Sequence, residues 1–258
     1  MNSGEKSREC YRLRHGEAKD IVGRAAVYGV LIACLGFLFS NIFISYLYFL
    51  LKEWLSNNAI GEVVIVVFSL MPIQFVGCGL AWLVYLELSP SKVCLADKLK
   101  VYFKTGKPFL LRLQRWVCHS VLIYIMVLIV AQITYLIFLF FDLQIIVQPA
   151  MQLFSSLSSL LARCMLVFAI LIVAPIFEEV LFRRIMPLAG LHLGFSMPWI
   201  LSALCFAVLH GSLFVVPSLF AMALILNHVV RKYENLLDAI VIHAMYNLLS
   251  LLVFFFLY

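Results

Sequence analysis

The sequence predicts an all-α fold, a polytopic membrane helix bundle of about seven transmembrane helices, and three observations predict it. Hydrophobic residues fill 65% of the 258 positions and charged ones only 12%. Mean hydropathy is +1.07. Apolar runs near the roughly 20 residues that cross a bilayer recur along the chain, with lysine and arginine gathered between them. Lipid offers the backbone no hydrogen-bond partners, so such runs must satisfy their own amides as helices.

The runs are Ala25 to Leu51, Ile60 to Leu86, Trp116 to Phe141, Leu160 to Phe182, Pro198 to Val216, Pro217 to Val230 and Leu236 to Tyr258. The fifth and sixth divide a stretch interrupted by His210, Gly211, Ser212 and Pro217. Two helices are expected there, because proline suits a first helical turn. The organisation read from these runs is a tail at 1–24, amino-terminal transmembrane helices at 25–159 with a basic loop at 87–115, and a carboxy-terminal set of helices at 160–258.

Basic residues in short loops set orientation. Lys6, Arg8, Arg12, Arg14, Lys19 and Arg24 precede the first span, and Lys92, Lys98, Lys100, Lys104, Lys107, Arg112 and Arg115 separate the second from the third. Ser56 to Ala59 and Asp142 to Ser159 have almost none. The amino terminus and the basic loop are therefore expected in the cytoplasm, with Arg183, Arg184, Arg231 and Lys232 on the same side. The net charge of +6 follows from this topology and from attraction to anionic lipid, and requires no nucleic-acid partner. Leu95 to Leu113 mixes lysines with Leu95, Leu99, Tyr102, Phe103 and Phe109, a pattern open to an interfacial helix or a solvated loop. The first apolar run is too long, and its preceding tail too polar, for a cleaved secretory signal. Seven scattered cysteines without a C-x-x-C pair read as small apolar fillers.

Polarity within the spans is uneven. The first three are nearly free of ionisable groups at depth, whereas the later ones hold Glu178, Glu179, His210, Asn227, His228, His243 and Asn247. A carboxylate at mid-helix depth costs roughly 2.5 to 3.5 kcal/mol on insertion scales, which makes Glu178 and Glu179 the most informative pair in the chain. Neighbours on a helix diverge by about 100°, so the two cannot share a face. Glu179 has Arg183 four residues on, in the favourable order for an ion pair. Glu178 must look to another helix. Pro175 removes a backbone donor and should free carbonyls near Leu171. His210 stands four residues after Phe206, and Asn247 four after His243, so each pair shares one helical face. Asn227 and His228 suit hydrogen bonds near the end of the sixth span.

Glu178, His210, His243 and Asn247 together suffice for hydrolysis. A carboxylate and an imidazole can hold a water and take its proton, while an imidazole and an amide can steady the oxyanion of a peptide carbonyl. Glu178, His210 and His243 are equally a possible zinc set with water in the fourth position. Spacing does not choose between a metal-free and a metal mechanism.

Three patterns occur in order on these helices: E-E-x-x-x-R at Glu178 to Arg183, F-x-x-x-H at Phe206 to His210, and H-x-x-x-N at His243 to Asn247. Over about Leu160 to Asn247 the chain resembles the CPBP family, the CAAX proteases and bacteriocin-processing enzymes also called the ABI family. The resemblance implies an intramembrane endopeptidase, best known from enzymes that remove the last three residues of prenylated CAAX proteins. It implies that Glu178 and His210 activate water, that His243 and Asn247 bind the oxyanion, and that Glu179, Arg183 and Phe206 support them. Arg184 stands where the family commonly has glycine, a departure that removes no reactive group. His210 falls nearer the outer side of its span than Glu178 and His243 do of theirs. The fifth span should therefore be displaced inward for the groups to meet in a cavity open to the cytoplasm.

The expected partners are a peptide or protein substrate and the lipid bilayer. The expected location is an integral, multi-pass membrane site, the plasma membrane if the source is bacterial. Two other functions fit such helices less well. A non-catalytic adaptor or immunity protein would not need all three patterns, and a proton-coupled transporter would place polar groups on both sides of the midplane.

Overall fold

The computed structural model describes residues 20–39, 59–70, 109–146 and 148–257, together with a few isolated positions between 42 and 79. The tail before residue 20 and most of the basic loop lie outside the described residues. So does most of the second span beyond Leu70. Among the described residues the elements are helices joined by turns, and no strand occurs.

Eight helices position the site: α1 Asp20–Phe39, α2 Ala59–Leu70, α3 Phe109–Phe140, α4 Pro149–Ser156, α5 Leu160–His192, α6 Pro198–Val208, α7 Val216–Tyr233 and α8 Leu236–Leu257. Four of them, α1, α3, α5 and α8, are long and apolar enough to cross a membrane. This marks an integral membrane protein. The expected count of seven is not confirmed by the described residues, which leave out most of the second span. Helix α6 has 11 residues, about 16 Å at the α-helical rise, against a hydrocarbon core of about 30 Å.

Charged residues that the apolar runs left out lie inside helices. In α1, Asp20 and Arg24 pair at 2.7 Å one turn apart. Helix α3 includes Arg112 and Arg115, which therefore belong to it and not to a loop. Helix α5 runs past Phe182 through Arg183 and Arg184 to His192. Sequence reading ended that span at the first arginine, but Arg183 is neutralised within the helix and need not leave it. Pro217 lies in the first turn of α7, as expected of a helix start after the turn at 209–215.

Basic helix ends gather at one end of the bundle. Arg115 of α3 donates to Asp238 of α8 at 3.0 Å and stacks on Tyr233 of α7 at 4.3 Å. At the other end, Ser212 donates to the carbonyl of Ile146 at 2.7 Å, and Phe138 meets Phe214 at 5.4 Å.

Three anchors fix α5 and α8 against the rest. The buried carboxylate of Asp238 accepts from Trp116 Nε1 at 2.5 Å as well as from Arg115, locking the start of α8 to α3. Ser120 of α3, one turn on, donates to the Trp116 carbonyl at 2.7 Å with the Ile242 carbonyl of α8 at 3.3 Å. Glu62 of α2 accepts from the amides of Ser158 and Ser159 at 2.9 and 2.6 Å. An anion thus sits on the exposed donors at the amino end of α5, where the helix dipole favours it. The main core, which includes Ile185, Phe206, Met222, Leu226 and Ile242, lies between α3, α5, α6, α7 and α8.

Candidate active site

Helix α5 is not a regular helix around its two glutamates. It has π-helical turns at Ala169–Val173 and Val180–Ile185, with the α-helical stretch Ala174–Glu179 between them. In the first π turn the amide of Ala174 donates to the carbonyl of Ala169, five residues back. The next bond in that register would run from residue 175 to Ile170, and residue 175 is proline. The orphaned carbonyl is therefore Ile170, not Leu171 as a regular helix would have it. Asn247 of α8 supplies the missing donor, its Nδ2 standing 2.9 Å from the Ile170 oxygen.

Both glutamates are buried, Glu178 at 7% exposure and Glu179 at 0%. Glu179 meets Arg183 through Oε2 and Nε at 3.0 Å, the intrahelical pair expected from the sequence. Its other oxygen is 2.9 Å from His243 Nδ1. Glu178 Oε2 stands 4.0 Å from His243 Nε2. The imidazole of His243, itself 3% exposed, thus lies between two carboxylates that helical geometry separates. One ring bridges the angle that one face could not.

Arg183 lies over the ring of Phe206 at 4.8 Å, and its Nη1 and Nη2 have no hydrogen-bond partner among the described residues. The guanidinium is held by charge and by the aromatic face. Phe206, fully buried, also contacts Phe182 at 5.3 Å, His210 at 4.7 Å and His243 at 5.8 Å. Sequence reading gave this phenylalanine a supporting place, and the structure makes it the ring around which both histidines and the arginine are arranged. Ser202 donates to the Phe182 carbonyl in the second π turn and holds α6 close to α5.

His210 follows the last turn of α6, with Nδ1 2.7 Å from the Phe206 carbonyl. Gly211, at φ 74°, follows it in the turn after α6, a backbone conformation in which a side chain would be strained. Helix α6 is short. Helix α6 starts beside α5, where a Cβ on Gly190 would come within 2.7 Å of Pro198. It then stops after 11 residues, so His210 does not travel to the far end.

Hydrogen-bond chemistry assigns one nitrogen of each histidine. A carboxylate and a carbonyl only accept, so Nδ1 carries the proton in both His243 and His210. Each neutral ring then offers Nε2 as a lone pair. A protonated His243 offers Nε2–H toward the side of Glu178. The 4.0 Å gap exceeds a direct hydrogen bond, and a water can bridge it.

The structure brings Glu178, Glu179, Arg183, Phe206, His210 and His243 into one connected cluster, with Asn247 joined to α5 a few turns before the glutamates. Among the described residues no three His, Cys, Asp or Glu side chains are grouped as metal ligands. Asn227 is buried and donates to the Trp199 carbonyl at 2.7 Å, tying α7 to α6. His228 and Arg184 are exposed. Asp238 was missed by sequence reading. Its signal was the single carboxylate in the first turn of the last apolar run.

These features define an integral membrane protein whose ionisable groups meet inside the helices, away from the loops. Residues 159–249 match the family described as type II CAAX prenyl endopeptidase, Rce1-like. This carboxy-terminal segment is similar to that family, which is the CPBP family resembled by its three sequence patterns, and the family points to a protease. No curated protein and no solved structure matches the chain.

Proposed function

We propose that the protein is an intramembrane endopeptidase that hydrolyses a peptide bond of a membrane-associated or lipid-modified substrate. The observation that carries this reading is the placement of His243 between Glu179 at 2.9 Å and Glu178 at 4.0 Å, in the segment that matches a CAAX endopeptidase family.

In this reading a water donates one hydrogen to Glu178 and the other to the Nε2 lone pair of His210. Glu178 removes the proton as the oxygen attacks the scissile carbonyl. The oxyanion receives hydrogen bonds from His243 and Asn247. His243 must then be an imidazolium, since its Nδ1 proton is given to Glu179 and only Nε2–H is free to donate. Asn247 has two N–H groups on Nδ2 and gives one to Ile170, leaving the second for the substrate. Glu178 finally passes its proton to the leaving amine as the tetrahedral carbon collapses. Glu179, held by Arg183, accepts from His243 Nδ1–H and keeps the ring in one orientation, as the third member of a triad does.

The zinc alternative would use Glu178, His210 and His243 as ligands, and metal analysis with chelator sensitivity decides it. The substrate enters from the membrane or the cytoplasmic side, with the amino terminus in the cytoplasm. The reading is tested with purified protein in lipid vesicles offered farnesylated and unprenylated peptides ending in a CAAX sequence. Release of the terminal tripeptide by the native chain, lost in Glu178→Ala and His210→Ala, supports it. Release that persists in both variants contradicts it.

A further inference from the structure

We infer that Asn247 is a positioning residue for the glutamate helix, replacing the backbone donor that Pro175 lacks. Three observations on the two helices carry this. The π register of Ala169–Val173, seen in the bond from Ala174 to Ala169, directs the bond missing at Pro175 to the Ile170 carbonyl. That carbonyl lies in the interior of an apolar helix, where an unpaired acceptor is costly and no bulk water is at hand. Asn247 Nδ2 reaches it at 2.9 Å from another helix.

The consequence is geometric. Helices α5 and α8 are joined at two points, Ile170 with Asn247 and Glu179 with His243. Moving from the first to the second point goes forward along α5 and backward along α8, as antiparallel neighbours require. One tie leaves α8 free to turn or slide against α5. Two fix its rotation and its depth, and so set where the His243 ring stands between Glu178 and Glu179. Proline in the helix and asparagine opposite it are a matched pair. The second N–H of the amide stays available, so positioning and oxyanion binding are compatible. The inference rests on the fold and not on the peptidase reading.

The test is a thermodynamic cycle at positions 175 and 247, read by thermal unfolding of the full chain in detergent. Asn247→Ala leaves the Ile170 carbonyl unpaired and is expected to lower Tm by about 3 to 8 °C. In a Pro175→Ala background the new backbone N–H serves that carbonyl, and the same substitution should lower Tm by less than half as much. Equal losses in the two backgrounds would overturn the inference. If Pro175→Ala does not fold, hydrogen–deuterium exchange of the segment 166–177 decides, comparing Asn247→Ala with the native chain. Faster exchange there supports the tie, and unchanged exchange overturns it. Neither readout involves a substrate, so failure here leaves the peptidase proposal standing, and loss of cleavage alone does not count for the tie.

Discussion

His243 Nδ1 lies 2.9 Å from Glu179 Oε1, while the opposite oxygen of the same carboxylate lies 3.0 Å from Arg183. A single buried carboxylate therefore connects an arginine on its own helix to an imidazole on another. The relationship explains how two adjacent glutamates are kept in an apolar helix. Glu179 balances charge and aims a ring, and Glu178 is left facing that ring's second nitrogen.

The Glu179 and Arg183 pair is expected to be strongly coupled. Removing either partner strands a fully buried charge, so Glu179→Ala and Arg183→Ala should each destabilise by about 3 to 5 kcal/mol. The double variant should lose distinctly less than the sum. Denaturant unfolding of the four proteins measures this, and additive losses would show that the two side chains act independently.

Glu178→Gln tests a different property. The side chain keeps its volume but cannot take a proton, so peptide cleavage should fall by about 10²- to 10⁴-fold. Thermal stability should change little, because Arg183 and His243 keep their contacts with Glu179. A variant that loses cleavage only by unfolding would assign Glu178 to structure.

Phe206 supports three polar side chains at once. Phe206→Ala opens a cavity under both histidines and is expected to cost about 3 to 5 kcal/mol. Phe206→Leu keeps much of the volume but withdraws the aromatic face from Arg183, so it should lose roughly 1 kcal/mol more than packing alone predicts. Comparing Tm in the Arg183 and Arg183→Ala backgrounds isolates that contribution.

The anchor of α8 should behave as a buried hydrogen-bonded charge. Trp116→Phe removes one donor to Asp238 and is expected to cost about 1 to 3 kcal/mol. Asp238→Asn leaves Arg115 without its carboxylate and should cost at least as much. Unfolding midpoints of the two variants check the order.

How much of this was legible in the sequence depended on whether the signal was local. Glu178 and Glu179 stood out because each carboxylate is costly in an apolar run. The pairing of Glu179 with Arg183 followed from helical spacing alone. Pro175 announced a freed carbonyl, but the π turn that moved it from Leu171 to Ile170 has no local signature. The tie from Asp238 to Trp116 spans 122 positions, beyond the reach of any periodicity. The length of α6 was also hidden, since the apolar run continues past Val208 while the helix ends at a turn. His243 was read with Asn247 as one polar face. The structure divides them, sending one to Glu179 and the other to a backbone oxygen.

The central claim is that the site around Glu178 cuts peptide bonds. Proteomics of membrane fractions from cells holding the native chain, compared with cells holding Glu178→Gln at equal abundance, tests it whatever the substrate. The account predicts peptide termini present only with the native chain, arising from membrane-associated or lipid-modified proteins. Identical sets of termini in the two fractions would contradict it.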